Sequence, residues 1–498
     1  MKQRYNWQVL FIIKFLQSEF SEPVFRQWLS ESLADIVRGA NLQDVVINIA
    51  IETDLLVGDL LESVPDFLKE MGNRYFLVLR PYSKNIVFEI SEFPDIMFKG
   101  TDVPLRVINA QQYGKINEPE PLAFVLAQMQ ESIECDQSIV ITWDHGSAYG
   151  IFYEPDKKRN IKAIFSNYRE NDIKEGESKF FNLTPSAPLL NVFKQDILNK
   201  AIYISDNFIA KDPNIFAQVE VDKSKFLTMD ELAMALKVLP NSKADILLMV
   251  NCSMMTIDTQ YALRDCVRYL IAPESFIHFQ TFNFGEILKY LTNQPTITSE
   301  VLGEHIISSL PSSPIFKQYP ENLEKIAISM VNLGKLFENN TWESFKEMVA
   351  KLDDEAANVA FLKSVQVMRR QFFILPLTWE VNQTNLLVVD AFSILEQILQ
   401  IKDISKLLKE AINNFISAYK LGSEILKSNR TYFGKYTLAE EFSCKGFSFF
   451  FPTFKGEFKN NNYILQFYNE TIGNVNVSAV ARDTYWNNFL FKYYNAVD

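Results

Sequence analysis

Four short apolar runs rich in β-branched residues recur through the first half of the chain: WQVLFII (7–13), DVVINIAI (44–51), SIVITW (138–143) and DILLMV (245–250). Stretches with helical spacing separate them. PVFRQWLSESLADIVRGA follows the first run, and PLAFVLAQMQESI (121–133) precedes the third. TMDELAMALKVL (228–239) precedes the fourth and opens with Thr228 and Glu231 at capping-box spacing. Short apolar runs alternating with helices are the signature of parallel strands joined by crossover helices. RYLIA (268–272) is a candidate further strand, and YFLVLRPYSKNIVFEI (75–90) reads as a hairpin that interrupts the alternation.

The chain of 498 residues is too long for one ordinary core, so two to four structural units are expected. After about residue 295 helical patterns dominate, over 320–338, 341–372, 384–399 and 403–427. GFSFFFP (446–452) reads as a late strand and YWNNFLFKYYNAV as a closing helix. The expected division is an α/β domain over 1–295 and a mostly helical region over 296–498 that packs on or extends it. Residues 154–187 are charged and weakly periodic and read as an exposed insertion.

Composition removes several function classes. With 48% hydrophobic and 22% charged residues the balance is that of a soluble globular protein. A net charge of −12 argues against a sequence-independent grip on nucleic acid, which needs clustered Lys and Arg. The four cysteines form no C-x-x-C pair and the three histidines no H-E-x-x-H, so no metal site is expected. No run has the length of a transmembrane helix, and the first 17 residues lack a secretory cleavage pattern. The chain as given is expected in the cytoplasm, or outside the cell if a signal was trimmed from it.

Two strands end in reactive residues. SIVITW runs into Asp144-His145-Gly146, and DILLMV into Asn251-Cys252-Ser253. In an open parallel sheet the strand C-termini share one edge, where ligands and catalytic groups gather. Neighbouring strands lie about 4.8 Å apart, so a His and a Cys leaving adjacent ends could meet across a cleft. A free thiol titrates near about 8.5, and a nearby imidazole can take its proton and later protonate a leaving amine. The N–H groups of Gly146 and Cys252 could face an oxyanion. The residues alone leave two readings open, a nucleophile or a buried strand-end thiol.

WDHGSAYG resembles the histidine loop of clostripain-like cysteine peptidases, and NCSMMTIDTQYALRD resembles their cysteine segment. Cys252, Met254, Asp258, Tyr261 and Leu263 fall on that pattern. YGKINEPEPLAFVLAQM, YLIAPES, NLLVVDAFSIL and GFSFFFP resemble further family elements in the same order. The resemblance implies a caspase-like α/β fold, a mostly parallel sheet flanked by helices, with His145 and Cys252 as a catalytic dyad. Calcium dependence and self-cleavage occur in parts of the family, so calcium is the one cofactor that the resemblance brings in.

The departures concern specificity. Members that cut after Arg or Lys carry an Asp two residues before the Cys; here that position is Val250, followed by Asn251 instead of Ala. An apolar floor leaves a basic side chain unpaired, which is costly. Val250, Asn251 and Gln280, the last within SFIHFQTFNFGE (275–286), are the expected pocket residues. Lys157, Lys158 and Arg159 in the insertion are therefore poor sites for self-cleavage. His278, a lone histidine among aromatics, is expected to pack and is otherwise a rival base; His305 is expected to be structural. The resulting expectation is a monomeric cysteine endopeptidase acting on peptides or proteins, not selective for Arg or Lys, with no nucleic-acid or membrane partner. The alternatives are a catalytically weak or inactive homologue that binds peptides or partner proteins, and a thiol hydrolase of small amides or esters.

Overall fold

Each of the apolar runs forms a strand. In the computed structural model they are β1 (Gln3–Phe15), β2 (Val45–Thr53), β3 (Tyr75–Pro81), β4 (Ile96–Met97), β5 (Pro104–Asn109), β6 (Ile133–Trp143), β7 (Gly150–Asp156), β8 (Lys223–Thr228), β9 (Ala244–Val250), β10 (Val267–Pro273) and β11 (Ile328–Asn332). The structure describes residues 3–15, 23–39, 43–54, 57–64, 66–69, 74–83, 96–109, 114–130, 133–144, 146, 150–156, 223–274, 277–320, 326–338, 340–371, 374–376, 384–385, 388–420, 424–430, 432–436, 439–444, 446–451, 471–472, 475–476, 480 and 483–496.

A ten-stranded sheet runs in the order Leu426–Arg430, β11, β10, β9, β6, β1, β2, β3, β5, β4. Its middle, β10-β9-β6-β1-β2, is parallel throughout. The additions on both sides, β3 and β5 at one end and β11 at the other, are antiparallel. The parallel strands therefore end on one edge, at Phe15, Thr53, Trp143, Val250 and Pro273. Both faces are covered, which is why these strands read as continuous apolar runs. On β6, Ile139, Ile141 and Trp143 enter one core, with the helices Pro23–Arg38, Phe284–Asn293 and Ser299–Ser308. Val140 enters the other, with Pro119–Gln130, Met229–Leu236 and the C-terminal helices Thr341–Glu355, Lys406–Tyr419 and Trp486–Ala496.

The capping box forms as its spacing predicts: the Thr228 side chain accepts the Glu231 N–H and the Glu231 carboxylate accepts the Thr228 N–H. The C-terminal region extends the sheet instead of only packing on it. Ile328–Asn332 is a strand where helical spacing was read across 320–338. Leu426–Arg430 is a strand where a helix was read to 427. The pattern over 341–372 divides into Thr341–Glu355 and Val359–Gln371, and that over 384–399 begins as the strand Val388–Asp390 before the helix Ala391–Ile398. Five-residue strands carry too few residues for periodicity to separate them from a helical turn; their pairing decides. The hairpin read over 75–90 keeps only its first strand among the described residues, and β3 pairs with β5. Most of the insertion, 157–187, lies outside the described residues.

One buried carboxyl ties the C-terminal region to the sheet. Glu274, directly after β10, accepts the Gly446 N–H at 2.8 Å and the Ser448 hydroxyl at 3.2 Å. Burial, and then the charge of the neighbouring Asp390, hold its pKa well above the ordinary carboxyl range. The folded state thus keeps a proton that the unfolded chain releases near its ordinary value of 4.5. The stabilisation is fully present below that pH and is lost as pH rises through the folded value. Urea unfolding between pH 5 and 8 should show Glu274→Gln gaining on the wild type as pH rises, by at most on the order of 1 kcal/mol per pH unit; parallel curves would contradict it.

Candidate functional site

β6 and β9 lie side by side and parallel, in register from Ile139↔Ile246 to Trp143↔Val250. The two turns that follow therefore leave the same edge of the sheet next to each other. Asp144 and Gly146 are described; His145 and residues 147–149 lie outside the described residues. Gly146 rests directly on the other turn. A Cβ added there would stand 2.7 Å from Asn251 Cβ and 2.9 Å from the Cys252 carbonyl oxygen, closer than side chains pack. Glycine at this position is what lets the backbone after His145 approach Cys252.

Asn251 is fully buried, and its side chain bridges the two turns. The Thr142 hydroxyl donates to Asn251 Oδ1 at 2.6 Å, and Asn251 Nδ2 donates to the Asp144 carbonyl at 3.1 Å. Sequence reasoning placed Asn251 in the substrate pocket; its amide points instead to the neighbouring strand. The signal for this role was present, a polar residue at the end of an apolar strand with Thr142 on the adjacent one, but only strand order connects them.

Cys252 is half-buried, and its sulfur lies against the Ile277 peptide. The Ile277 N–H donates to Sγ at 3.5 Å, and the thiol donates to the Ile277 carbonyl at 3.7 Å. Burial pushes the thiol up to about 11; the Ile277 N–H opposes that rise and the Asp144 charge adds to it. Ser253 follows with φ 56°, a left-handed backbone that reverses the chain immediately after the Cys. The turn is pinned beyond: Met255 N–H donates to the Pro273 carbonyl, and the Thr256 side chain caps the helix Ile257–Leu263.

Val250 is buried and belongs to the core that contains Trp143 and the helix Pro23–Arg38, the face opposite to Asn251. An aromatic wall lies on that face. Trp143 stacks on Phe279 at 6.1 Å, and His278 packs between Phe279 and Trp28, at 5.0 Å from each ring. Burial pushes His278 down to about 4, and its Nδ1 accepts the Gln280 N–H, so it is a neutral packing group. Gln280 is itself buried on this segment. His305 stacks on Tyr290 at 3.6 Å, away from the site. Among the described residues no group of three or more His, Cys, Asp or Glu is arranged to hold a metal ion, and no helix is long and apolar enough to cross a membrane.

The model of the clostripain family, peptidase C11, matches residues 202–490, more than half of the chain. That span contains Cys252 and begins after His145. An inactive zymogen C11 protease from Parabacteroides distasonis is similar over 93% of this chain and 97% of its own, at TM-score 0.51 and 13% identity. A secreted C11 cysteine protease from Bacteroides thetaiotaomicron, solved with an irreversible peptide inhibitor, is similar over 99% of both chains, at TM-score 0.46 and 12% identity. No curated protein matches. The Parabacteroides likeness bears out the caspase-like fold expected from the sequence.

The raised thiol has a direct consequence. Alkylation of the unliganded protein at Cys252 by a small neutral haloacetamide should accelerate with pH towards a midpoint near 11. Mass-spectrometric rates between pH 6 and 10.5 check this; a plateau by pH 8 would contradict it.

Proposed function

The chain belongs to the clostripain family and is a cysteine-type peptidase acting on peptides or proteins, and on that premise we propose that Cys252 and His145 form its catalytic dyad. The thiolate of Cys252 attacks the scissile carbonyl carbon. His145 takes the thiol proton and returns it to the leaving amine as the thioester forms; water, activated by the same imidazole, then releases the acid. The N–H groups of Gly146 and Cys252 are the proposed donors to the developing oxyanion.

One observation carries this reading: the in-register pairing of β6 with β9, with Gly146 seated against Asn251 and Cys252. It makes the two sequence motifs neighbours across more than a hundred intervening residues. The thiol pKa near 11 supports a proton transfer made during attack, since few molecules hold a thiolate beforehand at neutral pH.

We also propose that the specificity pocket lies on the Val250 face and disfavours Arg and Lys. Val250 offers no carboxylate, and Phe279, Trp143 and His278 line that side with rings. A guanidinium buried there would leave water without a charge partner.

Cys252→Ala and His145→Ala should each lower peptide hydrolysis on the order of 10³-fold or more while thermal melts stay near the wild type. Wild-type rates in either variant would remove that residue from the dyad. In peptides varied only before the scissile bond, apolar residues should exceed Arg by roughly tenfold or more in kcat/KM, a difference of about 1.4 kcal/mol. A preference for Arg would overturn the pocket assignment.

A further inference from the structure

We propose that Asn251 is a positioning residue whose side-chain amide, held by Thr142, sets the spacing between the His145 turn and the Cys252 turn. This rests on the dyad reading above and adds to it a device that the two motifs do not contain. The ladder pairing of β6 and β9 ends at Trp143↔Val250. Past that point no strand pairing fixes the distance between the chains, and twisted neighbouring strands diverge. The Asn251 side chain spans this gap.

Its orientation is determined by its partners. The Asp144 carbonyl can only accept, so Nδ2 must face it; Oδ1 then faces Thr142, whose hydroxyl must donate. The amide thus offers its acceptor to Thr142 and a donor to Asp144, both buried groups. The Asp144 bond holds the peptide before residue 145. The residue after it, Gly146, lies against the Cβ and carbonyl carbon of the same asparagine. Both chain neighbours of His145 are therefore anchored on Asn251, which is itself the chain neighbour of Cys252. Loss of this amide frees the Asp144 peptide and leaves only the Gly146 packing to hold the two turns together.

Val250, one residue earlier, belongs to the opposite face with the aromatic wall. Asn251 therefore acts on the spacing of the reacting groups and not on the side chain before the scissile bond. The residues at the two positions where this chain departs from the resembled pattern divide these tasks between the two sheet faces.

The test uses four single variants of the full chain and one double variant. Asn251→Ala keeps the Cβ under Gly146 and deletes the amide. Thr142→Val keeps shape and deletes the donor, whereas Thr142→Ser restores it. Cys252→Ala controls for the dyad. Asn251→Ala and Thr142→Val should each lower kcat roughly 10- to 100-fold with KM within about twofold, because misplacing reacting groups costs rate more than binding. Their double variant should lose no more than the worse single, and Thr142→Ser should recover most of kcat. Rates are taken per folded molecule, from melts on each variant. If Asn251→Ala fails to fold, the Val and Ser variants at Thr142 probe the same hydrogen bond. Unchanged kcat in Thr142→Val, or equal loss in Val and Ser, overturns the clamp while the dyad stands. Hydrolysis that survives in Cys252→Ala overturns the dyad, and the clamp's role with it.

Discussion

The parallel contact of β6 with β9 is the constraint on which the rest of the molecule depends. It sits at the centre of the sheet, flanked by β1 on one side and β10 on the other. Five in-register pairs join strands more than a hundred residues apart. Such a contact must overcome a large loop-closure cost before it returns anything, so its support comes from the cores that cover both faces. Leu247 and Met249 anchor β9 in one core, Ile246, Leu248 and Val250 in the other. The edge where the two turns emerge inherits its precision from this double anchoring.

Several polar groups at that edge are buried and specifically partnered. Lys14 and Glu52, at the ends of β1 and β2, are a buried pair 3.5 Å apart, and Glu52 also takes the Ile116 N–H and pairs with Arg74. Next along the edge come Asp144, Thr142 and Asn251. Low dielectric strengthens each such bond and penalises any group left without one. The same environment raises the Cys252 thiol, so the enclosure that fixes geometry also opposes ionisation. A general base beside the thiol resolves that conflict in the proposed reaction.

Much of this was legible in the residues, for identifiable reasons. The parallel strands announce themselves because two-sided burial leaves no polar alternation in them, and Thr228 with Glu231 marks a helix start through a purely local pair of bonds. Cys252 was legible through its motif. Ile328–Asn332 and Leu426–Arg430 were not, because five residues do not establish a period and their partners are distant in sequence. The bridge that Asn251 makes to Thr142 and Asp144 was not legible, because alternation past a strand end depends on where pairing stops. The Ile277 peptide on the sulfur left no sequence trace at all, since any residue supplies the same N–H and C=O.

The last segments of the chain return to within a few residues of Cys252. The Ser448 N–H donates to the Met255 carbonyl, Ser448 bridges Thr256, and the Glu274 carboxyl binds Gly446 and Ser448. A boundary drawn near residue 295 therefore separates two halves of one wall. Evolution could not exchange the C-terminal region as a module without rebuilding the turn that carries the cysteine. Insertions and losses in this lineage should accordingly collect in the surface connections of the chain, while the segments around 255–274 and 446–448 change together.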